Sequence, residues 1–148
     1  MKFEKSLKVR AVDLLSRREY SRWELKRKLA PYAETEDEID RVLNELHEQK
    51  WQSDERFAET FINSKSPKHG KLRLQQELLA KGVDRQTAAQ FMPDTEQEIA
   101  NARKVLHKKF RQPAQDLQEK QKQIRFLLYR GFNMDTVQKV LKMDWDDV

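Results

Sequence analysis

Leu78-Leu79-Ala80-Lys81-Gly82-Val83-Asp84 returns forty-nine residues later as Leu127-Leu128-Tyr129-Arg130-Gly131-Phe132-Asn133. Carried backward, the same offset pairs Leu29 with Leu78 and Ala30 with Leu79. Carried forward, it aligns Ile39, Ala88 and Val137, then Val42, Phe91 and Val140, then Leu43, Met92 and Leu141. At slightly shifted offsets Ala11-x-x-Leu14-Leu15, Ala58-x-x-Phe61-Ile62 and Ala102-x-x-Val105-Leu106 also correspond. Apolar residues at three- and four-residue steps are the stripe of an amphipathic helix, and glycine after a basic residue is a helix end. A period of this length marks a tandem array of small supersecondary units. The chain therefore reads as all-α, an elongated array of three three-helix repeats over residues 1–50, 51–92 and 93–148.

Helix starts are legible between these stripes. Ser21-Arg22-Trp23-Glu24 and Thr35-Glu36-Asp37-Glu38 have the form of capping boxes, with hydroxyl and glutamate each satisfying a free backbone N–H. Ser53, Asp84, Thr95 and Asn133 stand where caps belong, and Pro113 suits a first helical turn, where no N–H is needed. The spacing predicts nine helices, at about 4–18, 21–31, 35–49, 53–65, 70–81, 84–91, 94–111, 114–130 and 133–142.

Composition fits this thin architecture. Of 148 residues, 37% are apolar and 37% charged, whereas a globular protein has about 45–50% and about 25%. Small repeats bury little surface alone and stack on their neighbours. The absence of cysteine excludes disulfides, thiolate metal sites and a cysteine nucleophile. Three glycines and four prolines are too few for a hairpin-rich β protein or a phosphate-cradling loop. The start lacks an apolar signal core and no apolar run approaches the roughly 20 residues of a membrane span, so a cytoplasmic, membrane-free setting is expected.

Catalytic chemistry finds no support. His47, His69 and His107 are scattered and lack ligand spacing, so no metal is expected. Asp54-Glu55 and Glu36-Asp37-Glu38 sit at helix starts, where carboxylates complement the helix dipole. Gly70-Lys71 lacks the rest of a phosphate-binding loop. Asp144, Asp146 and Asp147 read as a solvated terminus. No enzyme and no cofactor are expected.

The net charge of +5 is spread over interleaved signs. Three basic clusters stand out: Arg17, Arg18, Arg22, Lys26, Arg27 and Lys28; then Lys65, Lys68, His69, Lys71 and Arg73; then Arg103, Lys104, His107, Lys108, Lys109 and Arg111. Such clusters suit phosphates or acidic partners, and equally a solvated face. Trp23, Trp51 and Tyr129 read as packing between modules rather than as stacking platforms for bases.

Arg18-Glu19-Tyr20-Ser21, Glu24-Leu25 and Lys28-Leu29 resemble the opening module of the RecX family of RecA regulators. Ser53-Asp54-Glu55-Arg56-Phe57-Ala58, Gly70, Arg73-Leu74, Glu77-Leu78 and Lys81-Gly82 resemble its second module, and Leu127-Leu128-x-Arg130-Gly131-Phe132 with Val137 and Val140-Leu141 its third. At Ser64 to His69 the chain departs from the arginine-rich stretch usual in the family. The resemblance covers essentially the whole chain. It implies a monomeric, non-enzymatic protein that binds the RecA nucleoprotein filament and restrains its strand exchange, ATP turnover and coprotease activity. Single- or double-stranded DNA is a further implied partner. The alternative is a helical module that competes directly for single-stranded DNA. Location in the basic stretches and second helices nominates Arg22, Lys26, Lys68, Lys71, Arg73, Arg125 and Arg130 as partner-binding residues.

Overall fold

A computed structural model describes residues 5–145. Its described residues form nine α-helices and no strand: α1 (Leu7–Leu15), α2 (Arg22–Leu29), α3 (Glu36–Glu48), α4 (Asp54–Lys65), α5 (Lys71–Ala80), α6 (Arg85–Ala89), α7 (Thr95–Lys109), α8 (Leu117–Tyr129) and α9 (Met134–Leu141). A 3-10 turn, Ala30–Tyr32, follows α2. The first helix is shorter than the stripe suggests, and the start expected near residue 4 lies outside the described residues, as do Asp146 and Asp147.

Side-chain caps set most of these limits. Ser6, Asp84, Asp116 and Asn133 accept the N–H groups of Val9, Thr87, Glu119 and Thr136. The Ser21–Glu24 capping box is closed in both directions. Thr35 makes only half a box: it accepts from Glu38 N–H, but the Glu38 carboxylate takes the N–H of Glu34 at 3.1 Å instead of that of Thr35. Two expected starts are displaced. Asp94 caps α7 and Thr95 is its first helical residue. Asp116 caps α8, so Pro113 lies before the helix and not in its first turn. A carboxylate accepts an N–H better than a hydroxyl does, which decides the cap in favour of Asp94.

Glycine ends two helices in the left-handed region, Gly82 at φ +80° and Gly131 at φ +96°. Lys50 takes that conformation at φ 65° after α3 without being glycine. Arg56 holds this turn: its guanidinium donates to the carbonyls of Lys50 and Trp51 at 2.7 and 2.8 Å and pairs with Glu19 at 3.1 Å.

The chain divides into two compact units. The first comprises the described residues to Thr60 together with Leu78–Gln90, and the second comprises Phe61–Glu77 with the described residues from Phe91 onward. In the first unit Leu7, Ala11, Tyr20, Leu25, Leu29, Ile39, Leu43 and Leu46 form the core. In the second it is Ala102, Leu106, Leu127, Phe132, Val137 and Val140. The repeat register divides by face. Leu29, Leu78 and Leu127 are buried, whereas Ala30, Leu79 and Leu128, one residue and about 100° further round the helix, are exposed.

Each unit contains one copy of the same junction. Ser21 Oγ donates to the carbonyl of Lys81 at 2.7 Å in the first unit. In the second, the N–H of Gly70 donates to the carbonyl of Arg130 at 2.8 Å. Gly70 is the register mate of Ser21, and Arg130 that of Lys81. Ser21 thus caps α2 and ties it to the end of α5 while fully buried. Ser21→Ala removes a cap and deprives a carbonyl of its donor, and is expected to destabilise by about 2 kcal/mol, read as a lower urea midpoint at unchanged slope.

Candidate partner-binding surface

The proposed basic residues fall into different electrostatic settings. Arg22 and Lys26 project from α2 toward acidic residues of α3. Lys26 Nζ lies 2.9 Å from Glu36 and 3.1 Å from Asp40, and Arg22 Nη2 lies 3.8 Å from Asp40. Hydrogen bonds donated to Glu36 and then to Asp40 hold the Lys26 ammonium above its ordinary pKa. These two cations are locally neutralised and offer little net field to a partner.

Lys71 and Arg73 open α5 in the second unit. The Lys71 N–H donates to Glu98 Oε2 at 2.8 Å, so a carboxylate from α7 serves the free N-terminus of α5. Arg73 pairs with Glu77 at 2.9 Å, and its Cβ packs against the Gly131 turn. Glu98 is 2% exposed and its Oε1 has no partner among the described residues. No sequence pattern marks this buried acid, because its surroundings come from another helix.

Burial pushes the Glu98 carboxyl above the ordinary glutamate value, against the opposing Lys71 N–H and ammonium. The folded chain therefore keeps a proton where the unfolded chain has lost it, and stability falls as pH rises through that window. Glu98→Gln keeps the acceptor for Lys71 but cannot ionise. Urea unfolding at a series of pH values rising from the ordinary glutamate pKa should show native stability declining relative to the Gln variant; parallel curves would remove Glu98 as the source.

A group of cations without carboxylate partners among the described residues lies elsewhere in the second unit. A groove of about 580 Å³ is lined by Pro67, Lys68, Lys104, Val105, Lys108, Lys109, Phe126 and Arg130. Among the described residues none of its five cations has a carboxylate within 4 Å. Lys104 and Lys108 stand four residues apart on one face of α7. Arg130 lies over the Phe126 ring at 5.2 Å, and Phe126 meets Phe110 edge-on at 5.4 Å. Valine and phenylalanine supply an apolar floor beneath the cations. Low-dielectric walls lined with one sign of charge focus the field toward an anion.

Lys68 and Arg130 thus come together, whereas Lys71, Arg73 and the exposed Arg125 do not line the groove. Lys104, Lys108 and Lys109, part of the third basic cluster but not among the nominated partner-binding residues, join it. Two histidines nearby are held below the ordinary imidazole pKa. Burial, then Arg73, Arg130 and Lys65, depress His69 against the pull of Glu77. Burial and Arg103 depress His107, which stacks on Trp145 at 3.8 Å. Arg103 also donates to the Asp144 carbonyl, so that residue is not simply a solvated end. No group of three potential metal ligands occurs among the described residues.

Packing between modules covers only part of Trp23, Trp51 and Tyr129. They are 44%, 45% and 78% exposed. Gly82 abuts Trp23 at its Cβ and at the Cγ and Cδ1 edge of the indole, and the residue as a whole stays partly exposed.

Three family models match in order along the chain: the first three-helix domain of RecX at residues 8–46, the second at 53–92 and the third at 96–141. "Regulatory protein RecX" of Neisseria meningitidis serogroup B is 58% identical over 147 residues, covering 99% of this chain and 96% of the relative. The protein of the same name from Chromobacterium violaceum is 48% identical, covering 97% and 93%. The crystal structure of RecX from Lactobacillus salivarius superposes with a TM-score of 0.81 at 20% identity, covering 92% of each chain.

Proposed function

The chain belongs to the RecX family, and from that premise we propose that it is a regulatory protein which binds the RecA nucleoprotein filament and inhibits its recombinase, ATPase and coprotease activities. The observation that carries the reading is the groove of five uncompensated cations over an apolar floor. A nucleoprotein filament is a dense, repetitive polyanion. Tandem modules gain avidity on such a partner, because once one has docked the next binds at high effective concentration. A protein bridging several protomers hinders the rearrangements on which ATP turnover and strand exchange depend.

Arg22, Lys26, Lys68, Lys71, Arg73, Arg125 and Arg130 remain proposed contacts of unequal weight. Lys68 and Arg130 lead, joined by Lys104, Lys108 and Lys109. The protein acts as a regulator and not as an enzyme, without a cofactor, as a cytoplasmic monomer. Among the described residues no helix is long and apolar enough to cross a membrane.

The same groove favours one competing reading, a module that binds single-stranded DNA without engaging RecA. Binding to preformed RecA filament and to naked single-stranded DNA should be measured at one salt concentration, together with filament ATP turnover. Tighter capture by the filament with inhibited turnover is expected. Tighter binding to naked DNA with turnover lost only through competition for the strand would replace the filament reading with the alternative.

A further inference from the structure

Leu79 and Leu128 occupy the same register position, and the structure leaves both outside the core, at 44% and 39% exposure. Single exposed leucines are ordinary. A leucine exposed twice at the same place in a repeat, beside the same turn and with the same company, is not accounted for by folding.

The surroundings of the two leucines correspond in kind, although the aromatic abuts the glycine in one and the arginine abuts it in the other. Leu79 gives its carbonyl to the N–H of Gly82 at 3.0 Å, and Leu128 gives its carbonyl to Gly131 at the same distance. Against Gly82 sits the Cβ of Trp23, whose exposed ring has the Arg27 guanidinium 4.8 Å from its centroid. Against Gly131 sits the Cβ of Arg73, whose guanidinium lies 5.7 Å from the exposed ring of Tyr129. Each glycine turn therefore carries a leucine, a large aromatic and an arginine over that aromatic. The first lies wholly in one compact unit and the second wholly in the other.

We infer that these are two copies of one docking knob, Trp23 with Leu79 and Tyr129 with Leu128, and that each seats in an apolar hollow edged with carboxylates on a subunit of a protein polymer. This rests on the filament reading and adds which residues grip its protein component. Tryptophan, tyrosine and arginine are the residues that most often carry binding energy at protein interfaces. Charge sets the rim of the hollow. Arg27 and Lys28 flank Trp23 in a cleft of about 330 Å³ whose one carboxylate, Glu24, is engaged by Arg18 and Lys81. Two like knobs require two like hollows, which a polymer of identical subunits supplies. Nucleic acid suits the knobs less well: a guanidinium already lies over each ring, and leucine offers no face for a base to stack on.

The test measures affinity of the full chain for RecA filament assembled on single-stranded DNA, and for the naked strand. Trp23→Ala and Tyr129→Ala should each weaken filament binding about 30-fold and leave naked-strand binding unchanged. Leu79→Ser should weaken it about tenfold. The Tyr129 ring is 78% exposed, so its removal keeps the fold and the melting temperature, which guards against a folding defect in Trp23→Ala. Undiminished filament binding by both aromatic variants overturns the inference. An equal loss on naked DNA also overturns it and makes the rings base-stacking platforms. Native chain that fails to bind filament at all sinks the functional reading itself, an outcome separable from native binding with unaffected variants.

Discussion

Gly70→Ala should lower stability by about 4 kcal/mol. A Cβ at Gly70 would lie 2.3 Å from the carbonyl carbon and oxygen of Gly131 and 2.4 Å from the N–H nitrogen of Phe132. All three atoms are backbone, so no rotamer change relieves the overlap. Moving the Gly131 turn away breaks Gly70 N–H to the Arg130 carbonyl at 2.8 Å and Leu72 N–H to the Gly131 carbonyl at 3.1 Å. It also withdraws Phe132, which has no exposed surface, from the core of the second unit. Circular dichroism during urea and thermal unfolding reads the loss. A variant melting within about 2 °C of the native chain would show that the turn can yield. Gly82→Ala is the comparison. Its Cβ would meet the Cβ of Trp23 at 2.5 Å, a side-chain atom of a partly exposed residue, but φ +80° strains any L side chain there. That loss should be smaller, about 2 kcal/mol.

Lys104→Glu with Lys108→Glu should weaken binding to the RecA filament by two orders of magnitude or more at about 0.1 M salt, with the fold intact. Both side chains are exposed and have no carboxylate partner among the described residues, so little stability depends on them. Each lysine facing a phosphate contributes about 0.7 to the slope of log affinity against log salt on single strands, so the double reversal should flatten that slope by about 1.4. Affinity lost with an unchanged slope would mean that the groove faces protein carboxylates. The internal control is Arg22→Glu with Lys26→Glu. These residues already answer Glu36 and Asp40, so their reversal should lower the melting temperature slightly and change filament affinity far less. Lys71 and Arg73 are poorer choices, since Arg73 also packs against the Gly131 turn.

The three-helix repeats were readable in the sequence because local rules write them. The Ser21–Glu24 box and the two turn glycines depend on residues within a few positions of one another, and the register is the recurrence of such local patterns. Failures occurred where neighbours competed. Asp94 outdid Thr95 as cap, and Asp116 set the start of α8 beyond Pro113. The register also marks Leu79 and Leu128 as equivalent to each other, but equivalence says nothing of burial. Which face of a helix turns inward depends on what packs against it.

The candidate surface was legible only in outline. A basic stretch in a sequence records where cations are, not where carboxylates from other elements will meet them. Lys26 and Lys104 look alike in the chain. One ends 2.9 Å from Glu36 and the other lines an uncompensated groove.

By itself the sequence determined the helical class, the triple repeat and the places where most helices begin and end, because backbone hydrogen bonding and apolar periodicity act over one or two turns. Tertiary structure alone decided that Gly70 has no room for a methyl group, that Glu98 is buried against the start of α5, and which lysines remain unpaired. Those outcomes depend on distances between residues far apart in the chain. Charge and steric overlap act through space, at a range that no local pattern records.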